Sequence, residues 1–222
     1  MTAALRVAVV GAGMMGADHI TRITHRISGA TVSAIVEPDA GRAAQAAASS
    51  PGAQPFSSIE EAIAANALDA VVIATPGQFH GPVLRPALEA GLPILCEKPL
   101  TPDSDSSWEI LQLEQKLDRP HIQVGFMRRF DAEYRELRKL IESGDSGELL
   151  MVRSLHRDPS VPESYTQNML ITDSVVHEFD VVPWLAGSRV VSVEVKYPRR
   201  NSLAPERLRE PILVIMELEN GV

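Results

Sequence analysis

The chain has little cysteine and no long apolar run, and each scarcity excludes a class of protein. A single cysteine, Cys96, among 222 residues cannot form an internal disulfide, which argues against a disulfide-stabilised secreted fold and fits a reducing cytoplasm. No run reaches the roughly 18 apolar residues of a transmembrane helix, so none is expected. The apolar start at residues 3–10 lacks the charged region, length and cleavage site of a signal peptide and is interpreted as a strand.

The chain also has fewer basic than acidic residues. The chain has 21 Lys and Arg against 29 Asp and Glu, a formal net charge of −8, which argues against nucleic acid or an anionic membrane surface as a general partner. Hydrophobic residues make up 45% and charged residues 23%, a balance typical of a globular protein with a real core. The length permits one large domain or two small ones.

Strand-like and helix-like segments alternate through residues 1–125. Strands are expected at 5–10, 31–36, 69–74, 93–96 and 121–124, and the main helices at 14–27, 39–48, 79–90 and 103–117. A further helix is expected to start at Ser58, which with Glu61 has the spacing of a capping box. Such alternation predicts βαβ units and therefore an α/β domain with a doubly wound parallel sheet of the Rossmann type.

The pattern changes in residues 126–222. Helices are expected at 131–143 and at 173–185, the second interrupted or ended near Pro183, and strands at 149–155, 190–197 and 212–218. These elements predict an α+β domain with a mostly antiparallel, open-faced sheet. Asn220 and Gly221 form a turn signal that should lead into another strand, so we expect a truncated domain. An open apolar face usually has a partner, which favours a homo-oligomer.

A glycine-rich turn follows the first strand and opens the first helix. It comprises Gly11, Gly13 and Gly16, with Met14 and Met15 between the last two. The first glycine allows a tight turn, the second a close approach of a pyrophosphate, and the third the packing of helix on strand. The free N–H groups of the helix N-terminus would hold the phosphates. This turn predicts a dinucleotide site; a turn without a nucleotide is the alternative.

Further candidates follow the strands of the same sheet. Glu37, at the end of the second strand, would accept hydrogen bonds from the ribose hydroxyls and repel a 2′-phosphate, which favours NAD over NADP. Asp39 is expected to be a helix N-cap. Thr75, Pro76 and His80 follow another strand and would line the cofactor, although a histidine in such a loop is more often a packing or hydrogen-bonding group than a catalyst.

Lys98 follows the short strand at 93–96 within the sequence Cys96-Glu97-Lys98-Pro99. Open α/β sheets bind ligands at the carboxyl ends of their strands, so this cation would lie beside a bound cofactor. The alternative is an ordinary surface lysine. Cys96 is expected to be a small buried residue rather than a nucleophile.

Asp173 and His177 are four residues apart on a predicted helix and hence on one face. His is the usual general base near neutral pH, and a neighbouring carboxylate would orient it or hold a substrate hydroxyl. A structural surface pair is the alternative. The spacing also suits two metal ligands, but no further ligand cluster accompanies it, so no metal is expected. Glu178 and Asp180 could be solvated charges on the other faces of this helix.

Together, residues 11–16, residues 97–99 and the helix carrying Asp173 and His177 resemble the Gfo/Idh/MocA oxidoreductase family, over essentially the whole chain. Further segments are similar to the bacterial inositol 2-dehydrogenases within that family: 125–131, 156–159, 173–180 and 196–198. One departure is Asp158, where the family leads us to expect an asparagine that touches the substrate. Family members also continue well past residue 222.

The resemblance implies NAD-dependent oxidation of a cyclitol hydroxyl to a ketone, with myo-inositol as the favoured substrate. The nicotinamide would lie near Glu97 and Lys98, and Lys98 would hydrogen-bond the reacting oxygen. His177 would take the hydroxyl proton while hydride leaves the same carbon, and Asp173 would hold a hydroxyl and tune His177. Whether Lys98 or His177 is the proton acceptor stays open.

The resemblance also implies substrate recognition by further side chains and assembly into a homotetramer or dimer. The candidates for hydroxyl recognition are Arg128, His156 and Asp158. Arg128 and Arg129 are equally consistent with a phosphate or interface contact. Two other functions stay open: a dehydrogenase of another sugar or inositol isomer, and a non-catalytic nucleotide-binding regulator.

Overall fold

The computed structural model describes residues 3–222, which fall into two compact units. The first ends at Gly125 and the second begins at Phe126. Within residues 3–222, no helix combines the length and the apolar composition needed to cross a membrane.

Six parallel strands form the sheet of the first unit. In chain order they are β1 (Leu5–Val10), β2 (Ala30–Val36), β3 (Gln54–Phe56), β4 (Ala70–Ile73), β5 (Ile94–Cys96) and β6 (Ile122–Val124). Their spatial order is β3-β2-β1-β4-β5-β6, and every pair is parallel, as predicted for a doubly wound sheet. The sequence did not predict β3, a three-residue edge strand containing Pro55, which is tolerated at an edge.

Five helices connect these strands: α1 (Met14–Arg26), α2 (Ala40–Ala48), α3 (Ile59–Ala64), α4 (His80–Glu89) and α5 (Ser104–Glu114). Asp39 caps α2 by accepting from the backbone N–H of Arg42, and Ser58 caps α3 by accepting from that of Glu61. Glu61, the other residue of the predicted capping box, accepts from the backbone N–H of Ser57 at 3.1 Å.

Residues of β1 alternate between the two faces of the sheet. Val7 and Val9 pack in one apolar cluster with α1, while Ala8 and Val10 pack in another with α3 and α4. Both faces of the sheet are therefore covered, which explains the continuous apolar runs of the central strands. Because all strands are parallel, their carboxyl ends lie along one edge of the sheet, where the candidate cofactor residues follow.

The second unit contains two α-helices and a two-stranded antiparallel sheet. The helices are α6 (Ala132–Ser143) and α7 (Val176–Ala186), the latter preceded by a π-helical segment, Leu170–Val175. The strands β7 (Val190–Lys196) and β8 (Leu213–Leu218) pair antiparallel. A small core joins α7 to β8 through Val181, Leu185 and Leu218.

Two predictions for this unit were wrong. Residues 149–155 form no strand: Leu150 is 79% exposed, and no strand among residues 3–222 pairs with them. An apolar alternating segment has strand geometry only when a neighbour supplies the ladder of hydrogen bonds. The second predicted helix also starts differently, since residues 170–175 are π-helical. It then continues through Pro183 to Ala186.

Candidate active site

The glycine turn leaves no room for side chains at its two ends. Gly11 has a φ of +91°, and a Cβ there would lie 2.9 Å from both the Ala74 oxygen and the Thr75 nitrogen. A Cβ on Gly16 would lie 1.8 Å from the Gly11 oxygen. Both glycines are therefore required by the packing of β1, α1 and the end of β4.

Gly13 has the opposite surroundings. A Cβ on it would meet nothing within 4 Å, and it caps α1 without any side-chain hydrogen bond. No acidic residue occupies the first turn of α1, and both Met14 and Met15 are exposed. Unsatisfied N–H groups, a positive helix end and open space fit the pyrophosphate of a dinucleotide.

Glu37 is tied to this turn from the end of β2. Its Oε2 accepts from the Ala12 N–H at 3.0 Å, while Oε1 accepts from the Asp39 N–H at 3.1 Å and from Arg42 at 2.7 Å. Burial acts to raise the Glu37 pKa, but these hydrogen bonds outweigh it and the pKa is lowered. The result is a fixed anion at the ribose position of the fold.

His80 connects the segments that follow β4 and β5. The ring is completely buried, with Nε2 2.8 Å from the Thr75 oxygen and Nδ1 2.8 Å from the Pro99 oxygen. With no exposed surface, His80 would act on a cofactor only through the backbone it holds. The adjacent Thr75 Oγ1 is buried without a hydrogen-bond partner among the described residues. A bound cofactor at the carboxyl ends of β4 and β5 could supply that partner.

A pair that the sequence did not predict lies beside Lys98. His19, on α1, has Nε2 2.8 Å from Glu97 Oε1, and both side chains are largely buried. This hydrogen bond lowers the Glu97 pKa against the opposing effect of burial. Because Lys98 directly follows Glu97, the pair fixes the backbone from which Lys98 projects. Lys98 itself is partly buried rather than an ordinary surface lysine.

Cys96 ends β5 as a buried residue, as predicted. Its side chain is fully inaccessible, and burial, with a smaller effect from the Glu97 charge, raises the pKa of the thiol to about 12. A thiol that stays protonated is a poor nucleophile, so Cys96 contributes packing rather than chemistry.

In the second unit, Glu178 is the centre of a polar cluster. Its carboxylate pairs with the Arg128 guanidinium and accepts from Ser154 at 3.2 Å, and Oε2 lies 3.7 Å from His156 Nδ1. The side chain is only 9% exposed. The prediction of a solvated charge was wrong, because Arg128 and His156 surround this carboxylate.

His156 brings the other candidates of this cluster together. Its Nε2 lies 3.5 Å from Asp158 Oδ2, and its ring stacks on that of His177 with centroids 6.0 Å apart and planes 11° apart. Asp158 also accepts from Ser174 Oγ at 3.5 Å. Contacts through Glu178 and the stacked rings therefore connect Arg128, His156, Asp158 and His177 in one group.

The predicted pair of Asp173 and His177 spans a change of helix type. Asp173 lies in the π-helical segment and His177 in the first turn of α7, where it is buried. Short π-helical segments occur frequently at functional sites. Tyr165 supports this one by donating to the Met169 oxygen or pairing with Ser174 Oγ, each at 2.7 Å.

Asp180 is also not solvated. Arg129 donates to both of its carboxylate oxygens, at 2.9 and 2.5 Å, and the Asp180 side chain is 7% exposed. A bidentate pair of this kind gives Arg129 a structural partner within its own unit. Among residues 3–222, no three His, Cys, Asp or Glu side chains are grouped as a metal would require.

A parallel sheet with this glycine turn and a fixed carboxylate after β2 defines a dinucleotide-binding protein of the Rossmann type. Residues 5–126 match the family model described as an oxidoreductase family with an NAD-binding Rossmann fold, and residues 134–222 match the Gfo/Idh/MocA C-terminal domain. The chain belongs to the Gfo/Idh/MocA oxidoreductase family, which confirms the resemblance found in its sequence.

Individual relatives cover the whole chain. It is 77% identical over 222 residues to the inositol 2-dehydrogenase of Corynebacterium glutamicum, and covers 66% of that protein. The fold is also similar to that of Lactobacillus casei myo-inositol dehydrogenase in complex with NAD(H) and myo-inositol, with a TM-score of 0.93 and 32% identity. That match covers 98% of this chain and 65% of the other. The chain thus spans just under two thirds of the length of these relatives.

A second enzyme from the same organism shares the fold. Lactobacillus casei scyllo-inositol dehydrogenase, solved with NAD(H) and scyllo-inositol, matches with a TM-score of 0.87 and 26% identity. The match covers 98% of this chain and 67% of that one. The same architecture therefore occurs in enzymes named for different inositol isomers.

Proposed function

We propose that this protein oxidises one ring hydroxyl of myo-inositol to the ketone, with NAD⁺ as the hydride acceptor. The binding of NAD⁺ is supported mainly by the open space at Gly13. At Gly11 and Gly16, by contrast, neighbouring atoms leave no room for a side chain. The inositol half is supported by the 77% identity to an inositol 2-dehydrogenase over the entire chain.

The residues of the first unit fit NAD. The α1 N-terminus around Gly13 would hold the pyrophosphate, Glu37 the adenosine ribose, and Thr75 Oγ1 would gain the partner it lacks. A fixed carboxylate at Glu37 opposes a 2′-phosphate, which favours NAD over NADP. When bound, the nicotinamide supplies a ring carbon that accepts hydride. Glu97, held by His19, and Lys98 would flank that ring.

Oxidation of an alcohol also needs a proton acceptor and a cation near the oxygen. His177 or Lys98 would take the hydroxyl proton as hydride leaves the same carbon, and Lys98 would stabilise the developing negative charge. Asp173 would hold a neighbouring hydroxyl and orient His177. The stacking of His156 on His177 would then fix the plane of the catalytic imidazole.

The polar cluster supports a polyol as substrate. Each buried hydroxyl requires a hydrogen-bond partner, and Arg128, His156 and Asp158 together offer both donors and acceptors. Asp158, being acceptor-only when ionised, would select a hydroxyl that donates.

Oxidation of another inositol isomer is the second candidate. The specific observation in its favour is Asp158, since a carboxylate there changes the hydrogen-bonding demand on one hydroxyl relative to an asparagine. The similarity to a scyllo-inositol dehydrogenase also supports it.

The test is NAD⁺ reduction by the purified protein across a panel of inositol isomers and hexoses, followed by the absorbance of the reduced nicotinamide. We expect the highest kcat/KM with myo-inositol. A higher value with scyllo-inositol would favour the second candidate. Tight NAD⁺ binding without turnover of any polyol would contradict both and favour a non-catalytic regulator.

The same proposal includes assembly and location. We propose a homo-oligomer, a tetramer or a dimer, as the resemblance to this family implies. A lone, buried thiol at Cys96 fits a protein of the reducing cytoplasm, where inositol catabolism would use it.

A further inference from the structure

The ribose end of the candidate cofactor crevice carries a cation as well as an anion. Arg42, in the first turn of α2, donates to Glu37 Oε1 at 2.7 Å, and its other terminal nitrogen lies 3.8 Å from Asp39 Oδ2. A carboxylate alone at this position explains rejection of a 2′-phosphate. The adjacent guanidinium does not fit that explanation and needs a role of its own.

The side chains of this ion pair differ in how firmly the surrounding structure holds them. The Glu37 side chain is 6% exposed and is tied to two backbone N–H groups, of Ala12 and Asp39. The Arg42 side chain is 57% exposed and extends from a helix with no comparable constraint. If the pair separates, Arg42 is therefore the partner that moves, while Glu37 stays at the glycine turn.

We propose that Arg42 is a second specificity-determining residue of the cofactor site, held by Glu37 and able to bind a 2′-phosphate once that hold is removed. This inference rests on the proposed dinucleotide function. A guanidinium is the side chain best suited to a phosphate, which it binds through two parallel hydrogen bonds.

The local charges support this assignment. Glu37, Asp39 and Arg42 sum to one negative charge, which opposes a 2′-phosphate. Glu37→Gln brings the sum to zero and also weakens the hold on the Arg42 guanidinium at 2.7 Å, because a neutral amide oxygen is a poorer acceptor than a carboxylate. One substitution thus removes a repulsion and releases an attraction. Only the released attraction depends on Arg42, which allows the two effects to be separated.

The experiment is calorimetric titration of the 222-residue chain with NAD⁺ and NADP⁺. For Glu37→Gln we expect the ratio of NADP⁺ to NAD⁺ affinity to rise at least about tenfold, the size of one charged hydrogen bond. Adding Arg42→Ala should remove most of that gain. Arg85→Ala in the same background is the matched control, since Arg85 is also an exposed arginine in an ion pair of the first unit, with Glu109.

A gain that survives Arg42→Ala would contradict the proposal, because loss of repulsion alone would then explain it. If Glu37→Gln does not fold, Glu37→Ser with and without Arg42→Ala decides. In the Glu37→Ser background the proposal expects Arg42→Ala to lower NADP⁺ affinity by several-fold more than NAD⁺ affinity, and an equal change in both would overturn it. Failure of the wild-type chain to bind either nucleotide would instead contradict the proposed function itself.

Discussion

The two units hold their candidate functional side chains by different means. In the first, most of the hydrogen bonds that position them come from the backbone. The Ala12 and Asp39 N–H groups bind Glu37, and the Thr75 and Pro99 carbonyl groups bind His80. In the second, the charged side chains are positioned by ion pairs: Arg128 is paired with Glu178, and Arg129 with Asp180.

This difference has a physical consequence. A site built on strand ends and helix termini depends on main-chain geometry and is sensitive to any added Cβ. A site built on buried ion pairs depends on complete pairing, since a charge left without its partner in the interior is costly. We therefore expect the first unit to be destabilised most by substitutions that add a side chain in a tightly packed turn. The second unit should be destabilised most by substitutions that neutralise one partner of a buried ion pair.

The largest effect is expected at the glycine turn. Gly16→Ala places a Cβ 1.8 Å from the Gly11 oxygen, so we expect a loss of more than about 4 kcal/mol in the unfolding free energy of the first unit. Urea unfolding checks this through the fluorescence of Trp108, which lies on α5, in a Trp184→Phe background.

Gly13→Ala is the matched control for that substitution. Gly13 has a φ of −71°, and its Cβ would meet nothing, so stability should change by no more than about 0.5 kcal/mol. NAD⁺ affinity should nevertheless fall at least about tenfold, because the methyl group fills the space that the pyrophosphate needs. Unchanged affinity would mean that the phosphates lie elsewhere.

Neutralisation of Glu178 should have the next largest effect. Glu178→Gln leaves the Arg128 guanidinium, only 17% exposed, without its counter-charge, so we expect the second unit to lose about 3 kcal/mol. Trp184, on α7, reports this unit in a Trp108→Phe background. Glu136→Gln, which breaks the exposed pair with Lys139, should leave the urea midpoint unchanged. An equal shift in both variants would contradict the contrast between buried and exposed pairs.

A smaller, pH-dependent effect is expected at Asp69. Its bonds with Arg6, first the side-chain and then the backbone hydrogen bond, lower its pKa from 3.8 to about 2. A lowered carboxyl pKa contributes stability above the unfolded value, and this contribution is lost as the pH falls towards about 2. Asp69→Asn should therefore be less stable than the wild type at neutral pH, and the difference should vanish near pH 2 by Trp108 fluorescence. A difference independent of pH would rule out the ion pair as its cause.

Local patterns predicted most of the first unit. The glycine turn could be predicted because the roles of Gly11, Gly13 and Gly16 depend on backbone sterics and on neighbours in the chain. Asp39 was predicted as a helix cap for the same reason. The pair of His19 with Glu97 was missed. No local pattern connects residues 78 positions apart, although a histidine on the helix that the turn opens was a signal available in the sequence.

The second unit was less predictable because its side chains acquire their roles only in three dimensions. Glu178 is an ordinary charged residue in the sequence, and its burial follows from Arg128, 50 positions away. Residues 149–155 have the composition of a strand but no pairing partner among residues 3–222. The residues that resemblance identified, His156, Asp158 and His177, do lie together.

The central claim is that hydride passes directly from a ring carbon of an inositol to NAD⁺. It is tested most directly by incubating the protein with NAD⁺ and myo-inositol deuterated at its ring carbons, and analysing the reduced nucleotide by mass spectrometry and NMR. We predict one deuterium per molecule of NADH, on the nicotinamide carbon opposite the ring nitrogen. NADH without deuterium, or NAD⁺ bound with no reduction by any inositol, would contradict the claim.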